Sequence, residues 1–306
     1  RRNMKLKRIV AVALTLTMTA AMSACSSNDG TDRSDMETSG SVGFSVSTLN
    51  NPFFVTLVDG AKATAEENGV DLIVLDAGDD AAKQTSDVED LISTNISVLI
   101  INPVDSDAAA PVVKDAIDAG IKVIAVDRVV NGVEVDCKIA SDNVAGAKMA
   151  TEYLLELVGK GAEVAELQGV PGASAIIDRG EGFHEVADKD LDVVASQTAN
   201  FNRAEGLDVM ENILQASGDL KGVFAHNDEM TLGAAETISA SGKDIKIVGF
   251  DATDDAVAAV KEVKMAATVA QQPEKMGITA VETAIKLMAG EMVEKSIPVE
   301  VKLITE

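Results

Sequence analysis

Tryptophan is missing from this chain of 306 residues, tyrosine occurs once, and histidine and cysteine occur twice each. With no Trp, and with Tyr153 inside a helical run, any flat apolar surface offered to a ligand must come from the seven Phe. Two Cys exclude a disulfide scaffold, and two His leave little for a zinc site. Basic residues are scarce too: 26 Lys+Arg stand against 50 Asp+Glu, a formal charge of −24. Five of the basic residues (Arg1, Arg2, Lys5, Lys7 and Arg8) precede Cys25 in a stretch without an acid, so the remainder holds 21 basic against 50 acidic residues, −29. A surface that acidic repels phosphate backbones and anionic lipid, which excludes nucleic-acid binding by electrostatics. The acids are dispersed rather than gathered in one tail, so disorder is not implied. With 46% hydrophobic residues and ordinary Gly and Pro contents, a chain of this length is expected to form about two domains with real cores.

Residues 1–24 read as a secretory signal peptide, with a basic start and an apolar run from Ile9 to Met22. As a helix the run spans roughly 21 Å, short of the ~30 Å hydrocarbon core, so a permanent span is the weaker reading. Met4 is a candidate true start, with three residues of upstream extension before it. Met22-Ser23-Ala24-Cys25 resembles a bacterial lipobox, in which small residues precede a Cys that is lipidated and becomes the new N-terminus. The alternative is an ordinary cleavage site with an incidental Cys; lipidation of Cys25 is the expectation. Residues 25–40, rich in Ser, Asp, Gly and Thr, suit a flexible tether. The protein is therefore expected outside the cytoplasmic membrane, lipid-anchored at its outer face or periplasmic. Cys137 sits in an alternating run (Val133, Val135, Cys137, Ile139) and reads as a small buried apolar residue.

From Val42 onward, short apolar runs alternate with helix-length amphipathic segments. The runs are Val42–Ser47, Leu72–Leu75, Val98–Ile101, Val123–Val126, Val164–Leu167, Val193–Ala195, Gly222–Ala225 and Ile245–Gly249. Among the segments between them are Asn51–Asn68, Ala82–Ser93, Asp107–Ala119, Asn143–Val158 and Arg203–Ala216. Continuous apolar runs bounded by turn residues imply strands buried on both faces, as in a parallel sheet. The alternation implies an α/β fold with right-handed crossovers. No fixed-period repeat argues for a solenoid. One doubly wound sheet with that many strands would be wide, so two sheets fit better, with the break near Ala140-Ser141-Asp142.

Ligands of such sheets sit beyond the C-terminal ends of strands. The residues there are Ser47 and Asn51-Pro52-Phe53-Phe54, Asn102-Pro103, Asp127-Arg128, Gly169-Val170-Pro171-Gly172, Asn227-Asp228, Phe250-Asp251 and Gln271-Gln272. The set offers carboxylates, carboxamides, an Arg and Phe rings, and no Ser-His-acid or Cys-His grouping. This suits a sugar: carboxylates, carboxamides and Arg engage adjacent hydroxyls, and flat apolar side chains cover the C–H faces of the ring. Each residue also has a plainer reading. Phe53-Phe54 could pack on their own sheet, Asp127-Arg128 could be a surface ion pair, and Asp251 could cap a helix. Asp228 reads as a cap rather than a ligand residue, His226 as packed or exposed rather than catalytic, and His184 as solvated. Gly169-Val170-Pro171-Gly172 is too short for a dinucleotide fingerprint and no P-loop follows it. Asp76-Ala77-Gly78-Asp79-Asp80 and Asp251-Ala252-Thr253-Asp254-Asp255 fail as calcium loops, since neither has the Gly required at the sixth position.

Taken in order, Ser47-Thr48-Leu49-Asn50-Asn51-Pro52-Phe53-Phe54, Ile101-Asn102-Pro103, Asp127-Arg128, Ile139-Ala140-Ser141-Asp142-Asn143, Glu166-Leu167-Gln168-Gly169, Arg179-Gly180-Glu181-Gly182-Phe183, Asn227-Asp228-Glu229-Met230 and Val248-Gly249-Phe250-Asp251 resemble the D-ribose-binding proteins of bacterial ABC importers, a branch of the periplasmic sugar-binding proteins. The resemblance runs from about Val42 to the C-terminus. It implies a periplasmic-binding-protein fold: two doubly wound parallel-sheet lobes joined by a three-strand hinge, with sugar in the cleft. The lobes would comprise residues 41–141 plus 273–300 and residues 142–272 plus 301–306, with crossovers near Ser141-Asp142, Gln272-Pro273 and Glu300. The family's ribose contacts carry over to Ser47, Asn51, Phe53, Phe54, Asp127, Arg128, Arg179, Phe201, Asn227, Phe250, Asp251 and Gln271. Val129-Val130, His226 and Ile176-Ile177-Asp178 depart from the family's pattern beside these contacts, and bear on affinity more than on sugar identity. The implied partners are D-ribose or a closely related sugar, the membrane subunits of an ABC permease and a chemoreceptor. No cofactor is implied, and a monomer is expected.

Two other classes share parts of this pattern. A LacI-type regulator uses the same sugar-binding core but needs a basic helix-turn-helix where this chain has a signal peptide. A pentose-acting enzyme needs a placed nucleophile, metal cluster or phosphate loop, and none is legible. A receptor for allose or another furanose or pentose signal is the remaining alternative to ribose.

Overall fold

The structure, a computed structural model, describes residues 40–305. In chain order they form β1 (Ser41–Val46), α1 (Pro52–Glu67), β2 (Asp71–Asp76), α2 (Ala81–Ser93), β3 (Val98–Ile101), α3 (Ala110–Asp118), β4 (Lys122–Val126) and β5 (Cys137–Ser141). There follow α4 (Asn143–Val158), β6 (Glu163–Gln168), α5 (Ser174–Asp190), β7 (Asp192–Thr198), α6 (Arg203–Ala216), β8 (Gly222–Ala225), α7 (Asp228–Ser241), β9 (Lys246–Asp251), α8 (Asp254–Lys261) and β10 (Ala267–Ala270). The chain closes with α9 (Pro273–Met288), β11 (Ser296–Val299) and β12 (Lys302–Ile304).

The strands make two six-stranded sheets of the same design, ordered β2-β1-β3-β4-β5-β11 and β7-β6-β8-β9-β10-β12. Every pairing is parallel except that of β12 with β10. Two doubly wound lobes result, as the sequence pattern and the resemblance imply. The chain passes between the sheets three times: from β5 into α4, from β10 into α9, and from β11 to β12. The first two passages exchange helices. α4 follows a strand of the first sheet and packs on β8, β9 and β10, whereas α9 follows a strand of the second and packs on α1, β3, β4 and β5.

The apolar runs follow from this layering. Register aligns Phe44 with Ile100 and Ile100 with Ile124, and these three face α1 and α9 in one core cluster. Their neighbours Leu99, Ile101 and Val123 point the other way, into the cluster under α2 and α3. Burying each such side chain contributes roughly 1.5–3 kcal/mol. The second lobe repeats the arrangement with Val223 and Ile247 on one face and Phe224 and Val248 on the other. Cys137 is buried in the first lobe's core, although its strand begins only there and the preceding Val133 and Val135 lie in loop. The expectations on residues 1–24, Cys25 and the tether up to residue 39 fall outside the described residues.

Candidate functional site

Both sheets turn the C-terminal ends of their strands toward one cavity of about 250 Å³. The first lobe contributes Asn51, Phe53, Phe54, Asp127 and Arg128, and the second Ala175, Arg179, Phe201, Asn227, Asp251 and Gln271. The space is narrow, which limits the occupant to a small molecule. The lobes also touch beside it. Ser106 N–H donates to the Gly172 carbonyl at 2.9 Å, and Ser174 Oγ accepts from Val129 N–H at 3.0 Å. The conformation is thus the closed one.

The apolar walls begin at the entry to α1. Asn51 caps that helix by accepting from Phe53 N–H at 2.9 Å, and Pro52 fixes its first turn. The cap seats Phe53 and Phe54 edge to face, 5.2 Å apart at 88°. Phe201 arrives from the other lobe on a tight turn with φ of +51° at Asn200 and +56° at Phe201. The Arg128 guanidinium lies between the lobes' rings, 5.2 Å from the centroid of Phe54 and 5.5 Å from that of Phe201.

Asp127, at the end of β4, has φ of +65°, a left-handed conformation that turns the chain sharply toward the cavity. Asn102 holds it from behind, donating from Nδ2 to Asp127 Oδ2 at 3.2 Å and to the Val126 carbonyl at 3.2 Å. The Oδ1 of Asn102 accepts from Ser47 Oγ at 2.6 Å. Ser47, expected at the ligand, therefore stands behind the cavity wall, fully buried, and reaches Asp127 only through Asn102. Arg128 is fixed by its Nη1 donating to the Pro103 carbonyl at 2.9 Å.

In the second lobe, Arg179 Nε donates to Asn143 Oδ1 at 2.9 Å, and its Nη1 donates to the His226 carbonyl. Its Cζ lies 3.9 Å from the centre of the Phe250 ring. Phe250 thus supports Arg179 from within the core and does not line the cavity, because strand alternation points it away from Asp251. Asp251 accepts from Gln271 Nε2 at 2.8 Å. Asn227 caps α7, its Oδ1 accepting from Met230 N–H at 3.0 Å.

The ionisable groups are matched in number: two carboxyl groups, Asp127 and Asp251, against two guanidiniums, Arg128 and Arg179. Within each pair the approach is long, 3.6 Å for Arg128 Nε to Asp127 Oδ2 and 3.8 Å for Arg179 Nη1 to Asp251 Oδ1. Both exceed hydrogen-bonding distance, so neither pair consumes its partners' donors and acceptors. Arg128 Nε and Gln271 Oε1 are buried without a partner among the described residues. Burial pushes the Asp127 carboxyl up, against the pull of Arg128 and Arg179, and it pulls both guanidiniums down. A neutral polyol with several hydroxyls satisfies such a set, whereas a charged ligand would unbalance it.

Other residues read from the sequence take different places. Asp228 is not the cap of α7, since Asn227 fills that position; it is fully buried. Thr253, not Asp251, caps α8. His226 is packed, with Nε2 2.9 Å from Glu166 Oε1 and Nδ1 unpartnered among the described residues. Burial lowers its pKa against the pull of Glu166, which favours the neutral ring. His184 is only part-exposed (39%), since Asp188 lies 2.8 Å from its Nδ1 and Glu166 3.5 Å from its Nε2. Ala175 and Asn143 went unrecognised as site or supporting residues, and Asn102, read at a strand end, was not carried to a supporting role. Asn102 had a signal in its strand-end position, and Asn143 in its place beside the break between lobes. Among the described residues no cluster of His, Cys, Asp or Glu could hold a metal ion.

The family model described as periplasmic binding protein domain matches residues 42–292. A ribose import binding protein of Bacillus subtilis is 47% identical over 98% of this chain and 100% of its own length. A protein of the same description from Escherichia coli is 49% identical, over 85% of this chain and 89% of its own. Among solved structures, a Caulobacter myo-inositol-binding protein with bound myo-inositol is 33% identical with a TM-score of 0.84, covering 87% of this chain and 93% of that one.

Proposed function

The chain belongs to the periplasmic binding protein domain family, and from that premise we propose that it is an extracytoplasmic receptor that binds D-ribose between its lobes and delivers it to an ABC permease. The observation that carries the reading is the cavity, where apolar Phe walls enclose a small space edged by two carboxyl groups and two guanidiniums. A pentose matches each part: the ring faces meet Phe53, Phe54 and Phe201, and the hydroxyls meet Asp127, Arg128, Arg179, Asn227 and Asp251. Relatives named for ribose import, 47–49% identical, support the choice of sugar. Both lobes contribute contacts, so the ligand stabilises the closed state by its differential affinity for it. The sugar is released unchanged; the site offers binding groups rather than a nucleophile with its base.

The anchoring part of the proposal rests on the sequence Met22-Ser23-Ala24-Cys25: Cys25 carries the lipid, and the protein works as a monomer at the outer face of the membrane. No helix among the described residues is long and apolar enough to cross a membrane. A chemoreceptor is a second candidate partner.

Calorimetry against a sugar panel tests the ligand. A sugar that lacks a hydroxyl or presents it on the wrong face leaves a buried group unpaired, at roughly 1–3 kcal/mol. D-ribose is expected to bind with micromolar or better affinity, and arabinose, xylose and glucose at least about tenfold more weakly. Equal affinity for ribose and glucose would refute ribose while leaving a sugar receptor standing. Tighter binding of allose would replace ribose by allose.

A further inference from the structure

Asp228 opens α7 one residue past Asn227 and is not among the residues that line the cavity. Its carboxylate is fully buried and is held by donors that carry no charge. Oδ2 accepts from Thr253 N–H at 2.8 Å and from Thr253 Oγ1 at 3.3 Å, and Oδ1 accepts from Thr268 Oγ1 at 2.7 Å. Thr268 Oγ1 accepts in turn from Ala252 N–H at 3.2 Å. The two backbone N–H groups that follow Asp251 thus both answer to Asp228, one directly and one through Thr268.

The segment so held is strained. Asp251 has φ of +125° and Ala252 of +55°, values that side-chain-bearing residues rarely adopt and that persist only where surrounding bonds over-determine them. Space has been left for the clamp, since a Cβ on Gly249 would lie 2.5 Å from Asp228 Oδ1. Burial and the nearby Asp251 together push the Asp228 carboxyl well above the usual carboxylate range. A group this costly to bury is a poor choice for filling a core, where an apolar residue of similar size would serve.

We infer that Asp228 and Thr268 are positioning residues for the ligand: they fix the Asp251–Thr253 turn from behind and so set the direction in which Asp251 presents its carboxylate to the cavity. The first lobe has a counterpart. There Asn102, directly past β3, holds Asp127 beyond the neighbouring β4, much as Asp228, three residues past β8, holds the turn beyond the neighbouring β9. The inference rests on the sugar-receptor reading and adds a determinant of affinity that does not touch the sugar.

Thr268→Val keeps the shape of the side chain and removes its hydroxyl, and Thr268→Ser restores the hydroxyl. With D-ribose as titrant, Thr268→Val is expected to raise Kd at least about tenfold, and Thr268→Ser to stay within about threefold of wild type. Asp228→Asn, whose amide nitrogen cannot accept, is expected to weaken binding as well; should it fail to fold, the Thr268 pair decides alone. The Tm of the ligand-free variants separates clamp from scaffold. A Thr268→Val protein with lowered Tm and wild-type Kd overturns the inference, as does a Ser variant that binds no better than Val. A wild type that binds no sugar of the panel overturns the receptor reading and the inference together, whereas ribose binding untouched by Thr268→Val overturns the inference only.

Discussion

Asn143 Oδ1 accepts from Arg179 Nε at 2.9 Å, so the first residue of the helix entered from the β5 crossover holds a cation of the ligand cavity. On the second crossover, Gln271 holds Asp251 at 2.8 Å. Two of the three connections between lobes therefore end in side chains that orient charges of the site. Asn143→Leu leaves the buried Arg179 Nε without its partner, a cost of about 1–3 kcal/mol. Ribose affinity is expected to fall about tenfold or more, with Asn143→Asp retaining most of it; calorimetry on both variants checks this, and equal losses would mean that the acceptor oxygen is irrelevant.

Arg128→Lys is expected to weaken ribose binding by about 2 kcal/mol or more. The guanidinium bonds the Pro103 carbonyl while lying between Phe54 and Phe201. An ammonium keeps the charge but cannot span the same partners from a flat stacked position. An unchanged dissociation constant would remove Arg128 from the ligand.

Gly172 sits at φ +90° where the lobes meet, and a Cβ there would come within 2.0 Å of Asp105 Oδ2. Gly172→Ala is therefore expected to hinder closure, lowering ribose affinity and leaving the radius of gyration in saturating ribose larger than wild type's. Adding Asp105→Gly should recover part of the loss, because it removes the clash but not the backbone strain, roughly 1–2 kcal/mol. Small-angle scattering of the single and double variants decides; identical compaction of all three proteins would show that the contact is slack.

Burial pushes the Asp251 carboxyl up to about 7, overriding the Arg179 guanidinium and the Gln271 hydrogen bond that pull it down. In the unfolded chain the group ionises near 3.8. Between these values the native state holds a proton that the unfolded state has shed. The stability this group contributes is thus full below about pH 3.8 and is lost as pH rises through about 7. Melts of the ligand-free protein across that window should show a smaller loss of Tm in Asp251→Asn than in wild type. Parallel curves would mean that Asp251 is ionised throughout.

Most strands read from the sequence are buried on both faces, although the part-exposed edge strands β2 and β7 were legible from their apolar runs as well. Val98–Ile101 is apolar at every position because α1 and α9 cover one side and α2 and α3 the other. β11 and β12 left no such mark: they are edge strands, largely uncovered, and β11 contains Pro298. Among the site residues, those that meet the cavity at strand ends were legible from position and chemistry, helped by the family's motif. Ser47 was misplaced because its direction depends on Asn102, 55 residues away, and that neighbour follows from the order β1-β3-β4 rather than from local pattern. Asp228 looked like a cap because its partners Thr253 and Thr268 come from a loop and a strand 25 and 40 residues further on.

The exchange of helices between the lobes bears on the order in which the molecule can be completed. The inner face of α1, with Leu57, Val58 and Ala61, packs against Met276, Ala280 and Val281 of α9. Some two hundred residues, about 130 of them in the other lobe, separate these partners along the chain, and a polypeptide leaves the ribosome from its N-terminus. A nascent chain that stops short of Pro273 has made every strand of the first sheet but β11 and has only α1, without α9, to lay over one of its faces. The lobe begun first is completed only near the end of the chain, so a translating ribosome holds it half-covered and unlocked until nearly all of the chain has been synthesised.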